Sequence, residues 1–189
     1  MKPLQRICAG WFATLPIISM LGCASRPDEA LKLAQTAMEE AKQEQAADFA
    51  TADWKSAQKA WDDAQAALAR QSYSEAAALL TTCRSRFEKA RNISKAKRGD
   101  VRKEISLMQS TVNARFSVLK DHISKFKLSG KTQKELSQSC QDVETAIDKF
   151  NSEALNDQLI QAKSSGQAAL EKLNQVEKRV GSLTKGPAV

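Results

Sequence analysis

The chain has 189 residues, 29 basic and 22 acidic, for a formal charge of +7. Apolar residues make up 42%, aromatics only 5%, and the four prolines leave residues 28–186 without one. A turn-rich sheet protein is excluded by that gap, and long helices are favoured. One His, no glycine-rich stretch and no paired-cysteine motif leave little for catalysis or metal binding.

The first 22 residues read as an export signal. Lys2 and Arg6 give a positive start, and Ile7 to Leu21 is uncharged and mostly apolar. That run is short for a bilayer span, and a cysteine follows at once. The junction Met20-Leu21-Gly22-Cys23-Ala24-Ser25 resembles the lipobox of bacterial lipoproteins. The resemblance implies cleavage between Gly22 and Cys23, with diacylglycerol on the Cys23 sulfur and an acyl chain, such as palmitate, on its amine. Such a protein is held at a membrane by its lipids, since even two lipid signals suffice for stable anchoring. Ala24 after the cysteine looks like an outer-membrane sorting signal, so the expected location is the outer membrane, facing the periplasm. No cofactor beyond these lipids is expected.

Cleavage would leave 167 residues with a charge of +5 and two unmodified cysteines, Cys83 and Cys140. In an oxidising compartment either a disulfide between them or two buried thiols is compatible with the sequence.

Everything after Arg26 reads as helix, giving an all-α, elongated chain of about five helices in antiparallel hairpins or a loose bundle, with coiled-coil-like seams. The first helix starts near Pro27, with Asp28 and Glu29 at its favourable end. Leu31, Ala34, Met38, Ala41 and Gln45 mark its buried stripe. The pattern loosens over residues 47–51, and Thr51 or Asp53 is placed to cap a second helix. There Trp54, Ala57, Trp61, Ala64 and Leu68 form a narrow seam. Ser72 and Glu75 fit a capping box, reciprocal side-chain-to-amide bonds that open a helix. The next stripe is Ala76, Leu79, Leu80, Cys83, Phe87 and Ala90. Gly99-Asp100 marks a kink or break, although an unbroken helix from Ser72 to Leu128 fits equally well. Val101, Ile105, Met108, Val112, Phe116, Leu119, Ile123 and Phe126 continue the stripe.

A turn at residues 128–131 and a second capping box, Thr132 and Glu135, introduce Leu136, Cys140, Val143 and Ile147, up to Phe150. Asn151 or Ser152 then caps a last helix carrying Leu155, Leu159, Ala162, Ala169, Leu173 and Val176. Gly181 to Val189 is expected to fray. The implied organisation is a signal at 1–22, an Ala-rich hairpin domain at 23–98, a long basic helix plus hairpin at 99–182, and a tail at 183–189. A weak repeat relates Ala57, Trp61, Ala64 and Leu68 to Leu136, Cys140, Val143 and Ile147 at an offset of 79. The pieces Ser74-Glu75-Ala76 and Ser152-Glu153-Ala154 match at 78.

From Ala34 to about Lys95 the chain is similar to a bacterial family of Ala-rich, tetratricopeptide-like helical hairpins of unknown function, often found on lipoproteins. The motif is Trp54-x2-Ala57-x3-Trp61-x2-Ala64-x2-Ala67-Leu68 followed by Ser72-Tyr73-Ser74-Glu75-Ala76-x2-Leu79-Leu80. Family members usually carry glycine where this chain has Gln71 or Ser72. The resemblance implies a periplasmic helical fold and brings no activity with it.

Charge is uneven: residues 26–75 carry net −4, 84–131 net +10, and 132–189 net −1. Arg84, Arg86, Arg91, Lys95, Lys97, Arg98, Arg102 and Lys103 form a dense basic band. It is either a surface for an anionic partner or a face balanced by the acidic first hairpin. At the envelope the anionic partners are peptidoglycan carboxylates, anionic lipid and acidic envelope proteins; nucleic acid is not expected. His122 and the acidic pairs Glu39-Glu40 and Asp62-Asp63 read as solvated, and Trp54 and Trp61 as packing residues. No catalytic residue and no metal set are assigned. The expected function is a non-enzymatic, membrane-anchored scaffold or adaptor. The alternative is a periplasmic ligand-binding module or an accessory subunit of a cell-wall enzyme. Exposed seams also leave room for a homo-oligomer.

Overall fold

A computed structural model describes residues 25–125 and 130–184. Six helices account for nearly all of them: α1 (Asp28–Gln43), α2 (Ala46–Phe49), α3 (Thr51–Ala69), α4 (Tyr73–Ser124), α5 (Gly130–Leu155) and α6 (Leu159–Thr184). There is no strand among the described residues.

The spine is α4, 52 residues long, or about 78 Å at 1.5 Å per residue. It runs through Gly99 without interruption, so of the two readings left open there the continuous helix is the correct one. Gly99 is not there for lack of room, because nothing lies within 4 Å of an added Cβ.

Each half of α4 carries its own hairpin and its own core. Beside the first half, α1, α2 and α3 bury an alanine face: Ala34, Ala41, Ala57, Ala64 and Ala67 are fully enclosed, with Leu80, Cys83, Phe87 and Ala90 opposite. Small side chains let these backbones approach closely. Trp54 packs on Phe87 at the upper end, ring centroids 5.1 Å apart. The α3 seam lies slightly off its expected line: Ala60 and Ala67 are at its centre, and Trp61 and Leu68 flank it half-buried. Beside the second half, α5 and α6 cover Ile105, Met108, Val112, Phe116 and Leu119 with Leu136, Val143, Phe150, Leu159, Leu173 and Val176. Phe49 of α2 belongs to this second core, so the first hairpin reaches across to it.

Helix ends depart most from expectation. Among the described residues three non-glycine residues have positive φ, and each stops a helix: Gln45 at 56°, Gln71 at 59° and Asp157 at 56°. At Gln71 the chain makes a Schellman stop, with Ser72 N–H on Ala67 O and Gln71 N–H on Leu68 O. The same pattern recurs at Asp157, with Gln158 N–H on Glu153 O and Asp157 N–H on Ala154 O.

These stops correct several expectations. The Ser72 side chain makes no cap bond, because the preceding left-handed residue leaves Ser72 at ψ 66° rather than extended. Glu75 pairs instead with Arg70 at 3.4 Å. The Thr51 hydroxyl bonds back to Ala47 O at 2.9 Å rather than capping α3. Thr132 lies inside α5 rather than before it, and Glu135 accepts Arg179 from α6. α5 continues past Phe150 to Leu155, which is 86% exposed rather than on the last helix's buried stripe. α6 runs through Gly181 to Thr184. The repeat fails at its turns, since Ser74 follows one helix stop while Ser152 precedes the other.

Candidate functional site

The lipidation residue Cys23 and its neighbour Gly22 lie outside the described residues, as do Phe126 and the first part of the turn at 128–131. No helix among the described residues is long and apolar enough to cross a membrane.

Part of the basic band engages the acidic hairpin, although most of its side chains remain exposed. Glu40 on α1 accepts Arg91, Asp53 on α3 accepts Lys89 at 2.8 Å, and Arg86 donates to Ser56 O at 3.1 Å. Arg84 pairs with Glu88 one turn on at 2.7 Å, and Lys103 with Asp100 at 3.5 Å. Lys95 and Lys97 are exposed, as are Arg84, Arg86, Arg102 and Lys103.

Arg98 is the exception to a surface reading. It is 7% exposed, the one buried charged residue among those described, and lies where the two cores meet. Nη1 reaches Glu44 Oε2 at 2.7 Å and Gln43 O at 3.4 Å; Nη2 reaches Asp157 Oδ2. Glu44 and Gln43 end α1, and Asp157 sits in the α5–α6 turn. One guanidinium thus ties both hairpins to the spine. Four residues earlier, the buried Ser94 hydroxyl donates to Glu44 O. Arg102, one turn on, grips Asp157 with Nε at 3.1 Å and Nη2 at 2.8 and 2.9 Å. Burial pushes the Asp157 carboxyl up, but the bonds from Arg102 and Arg98 outweigh it and hold it below the usual carboxylate range. Arg98 Nε has no hydrogen-bond partner.

This junction was legible but not singled out. Ser94 and Arg98 continue the spacing of Phe87 and Ala90 toward Val101 and Ile105. Polar residues in phase with an apolar stripe are the signal for a buried polar contact. Gly166 carries the same kind of signal, in phase with Leu159, Ala162, Ala169 and Leu173. A Cβ there would run into Met108 Sδ and lie 2.9 Å from the Phe150 ring.

Cys83 and Cys140 are both free thiols, and the fold excludes a bridge. Cys83 packs against α3 in the first core, its sulfur 3.9 Å from Ala57 O. Cys140 lies in the second core beside Lys120. Residues 83 and 120 of one continuous helix are about 55 Å apart, far beyond disulfide reach. Burial pushes the Cys83 thiol up to about 11, so it behaves as a small hydrophobe.

Near the far end, α4 and α6 enclose an open groove of about 370 Å³. Val118, Leu119, Val180 and Gly181 give it an apolar floor, with His122 on the α4 side. Arg115 crosses the rim to Glu177, Nε to Oε1 at 3.1 Å. Among the described residues no group of three or more His, Cys, Asp or Glu is placed to hold a metal ion.

Comparison with known proteins gives no match: no family model fits the chain, and no curated protein or solved structure is significantly similar to it.

Proposed function

We propose that this protein is a non-enzymatic lipoprotein of the bacterial envelope, a stalk anchored through Cys23, in the outer membrane facing the periplasm. The observation that carries the proposal is the direction of α1 relative to the spine. α1 ends beside Arg91 and Ser94 and runs parallel to α4, so Asp28 lies toward the end of the rod where α4 begins. Asp28 follows Cys23 by five residues in sequence, and from that end the spine runs about 78 Å. The polar groups with the closest geometry are arginine–carboxylate pairs that hold the hairpins in place.

As an adaptor, the stalk would meet cell wall, anionic lipid or another envelope protein along its exposed faces. Lys95 and Lys97 are the part of the basic band free to do so. Labelled palmitate should remain with the wild-type polypeptide and be lost from Cys23→Ser. Retention by the variant would overturn the anchor. Lys95→Glu with Lys97→Glu should weaken pull-down on peptidoglycan or anionic vesicles; unchanged binding would remove those two from the partner surface. The second reading, a ligand-binding module, rests on the groove between α4 and α6. A small apolar molecule that binds there would be displaced by Val180→Trp.

A further inference from the structure

Among the described residues, no other helix covers the outward face of α4 beyond Gly99. Leu107 and Val118 project from it, 70% and 68% exposed. They are eleven residues apart, three helical turns, and so share one side of the helix. Between them the same side presents Ser110 and Ala114, both exposed and small enough for another backbone to approach. Three turns of unpartnered surface with a large apolar side chain at each end call for an occupant.

From the order of residues along this face we infer that the occupant is a second copy of the chain, packed antiparallel on α4. Antiparallel packing centred near residue 112 brings Leu107 of one copy to Val118 of the other and Ser110 to Ala114, each within one residue of exact register. The same register brings opposite charges together on both sides of the apolar centre. Lys103 meets Asp121, and Asp100 meets Lys125. The symmetry repeats each pair, so four complementary contacts bracket four apolar ones. All eight positions are exposed in the single chain. Lys103 and Asp100 are held within it only by their mutual contact of 3.5 Å, with side chains 82% and 78% exposed. Glu104, which would otherwise face Asp121 of the other copy, is turned toward α6 and engaged by Lys163 at 2.8 Å. Val118 also edges the groove against α6, so the incoming Leu107 arrives beside an apolar recess.

The strip from Asp100 to Lys125 is about 39 Å long, which suits a reversible rather than an obligate association. Pairing does not depend on lipidation. With an anchor at residue 23, however, the two anchored ends point away from each other, roughly 120 Å apart, so the pair reaches between two surfaces rather than sharing one.

Sedimentation equilibrium of the purified full chain tests this. Wild type should form a dimer in the micromolar range. Leu107→Glu with Val118→Glu should raise the dissociation constant about tenfold or more, with helical content unchanged because both sites are exposed. Lys103→Glu alone and Asp121→Lys alone should each weaken pairing, and the two together should restore it. A wild-type monomer throughout, or a dimer indifferent to the Leu107/Val118 change, would overturn the proposal. A dimer lost with the apolar change but not recovered by the charge exchange would overturn the register.

Discussion

Arg98→Met is the most informative single change. It keeps the packed stem and removes the charge that joins Glu44 and Asp157. Taking one partner from a fully buried ion pair costs about 3–5 kcal/mol. Here the carboxylates keep part of their access to water, with side chains 30% and 43% exposed, and Asp157 keeps Arg102. Screening of that kind roughly halves the cost, to about 2 kcal/mol. For a chain of this size that corresponds to a fall in Tm of about 4–8 °C. Thermal and urea unfolding followed by circular dichroism would read it, with the exposed Lys97→Met as control. Arg98→Lys should fall between, because an ammonium keeps the charge but loses the fork that holds two carboxylates at once. Equal stability of Arg98→Met and Lys97→Met, within about 0.5 kcal/mol, would refute the claim that this guanidinium couples the hairpins.

Four further outcomes follow from the same geometry. Gly99→Ala should stabilise the chain by about 0.8–1 kcal/mol, because it sits mid-helix with open space around it; destabilisation in urea melts would point to a bend that needs glycine. Gly166→Ala should cost about 1–3 kcal/mol through overpacking against Met108 and the Phe150 ring; a neutral result would mean α6 does not approach that closely. Cys83 should resist alkylation in the native protein at pH 8, which is below its raised value of about 11, and react fully in denaturant; rapid native labelling would contradict its burial. The Asp157 carboxyl titrates lower folded than unfolded, so its contribution is present above the unfolded value of about 3.9 and is lost as pH falls through the folded value. Asp157→Asn should flatten that acid limb of the stability profile, and an unchanged limb would remove Asp157 from the linkage.

The class of fold and most of the buried stripes could be read from spacing alone. Leu80, Cys83, Phe87, Val112, Phe116, Val143 and Leu173 are all buried where their 3–4 periodicity places them. Helix ends were harder to read, for a physical reason. This chain stops its helices with glutamine and aspartate in the left-handed region, where the usual sign is glycine. The capping-box pattern at Ser72 points to side chains, while the backbone carbonyls of the preceding helix are satisfied by Schellman bonds at Gln71, as they are again at Asp157. The basic band was visible as a charge run, but sequence cannot tell a solvated arginine from one aimed at a carboxylate fifty or more residues away. Arg98 was legible only through its phase with the core.

The distance along α4 tests the account most directly, because both hairpins, the separation of the cysteines and the reach of the stalk depend on it. Spin labels introduced by Ser74→Cys and Asn113→Cys, in a chain whose native cysteines are changed to Ala and which is diluted with unlabelled chain, are joined by 39 residues of one helix. A continuous spine predicts a single narrow distance near 59 Å between the backbones, carried through Gly99 unchanged. A broad distribution centred well below that would mean the helix breaks, and the two halves would then no longer be parts of one rod.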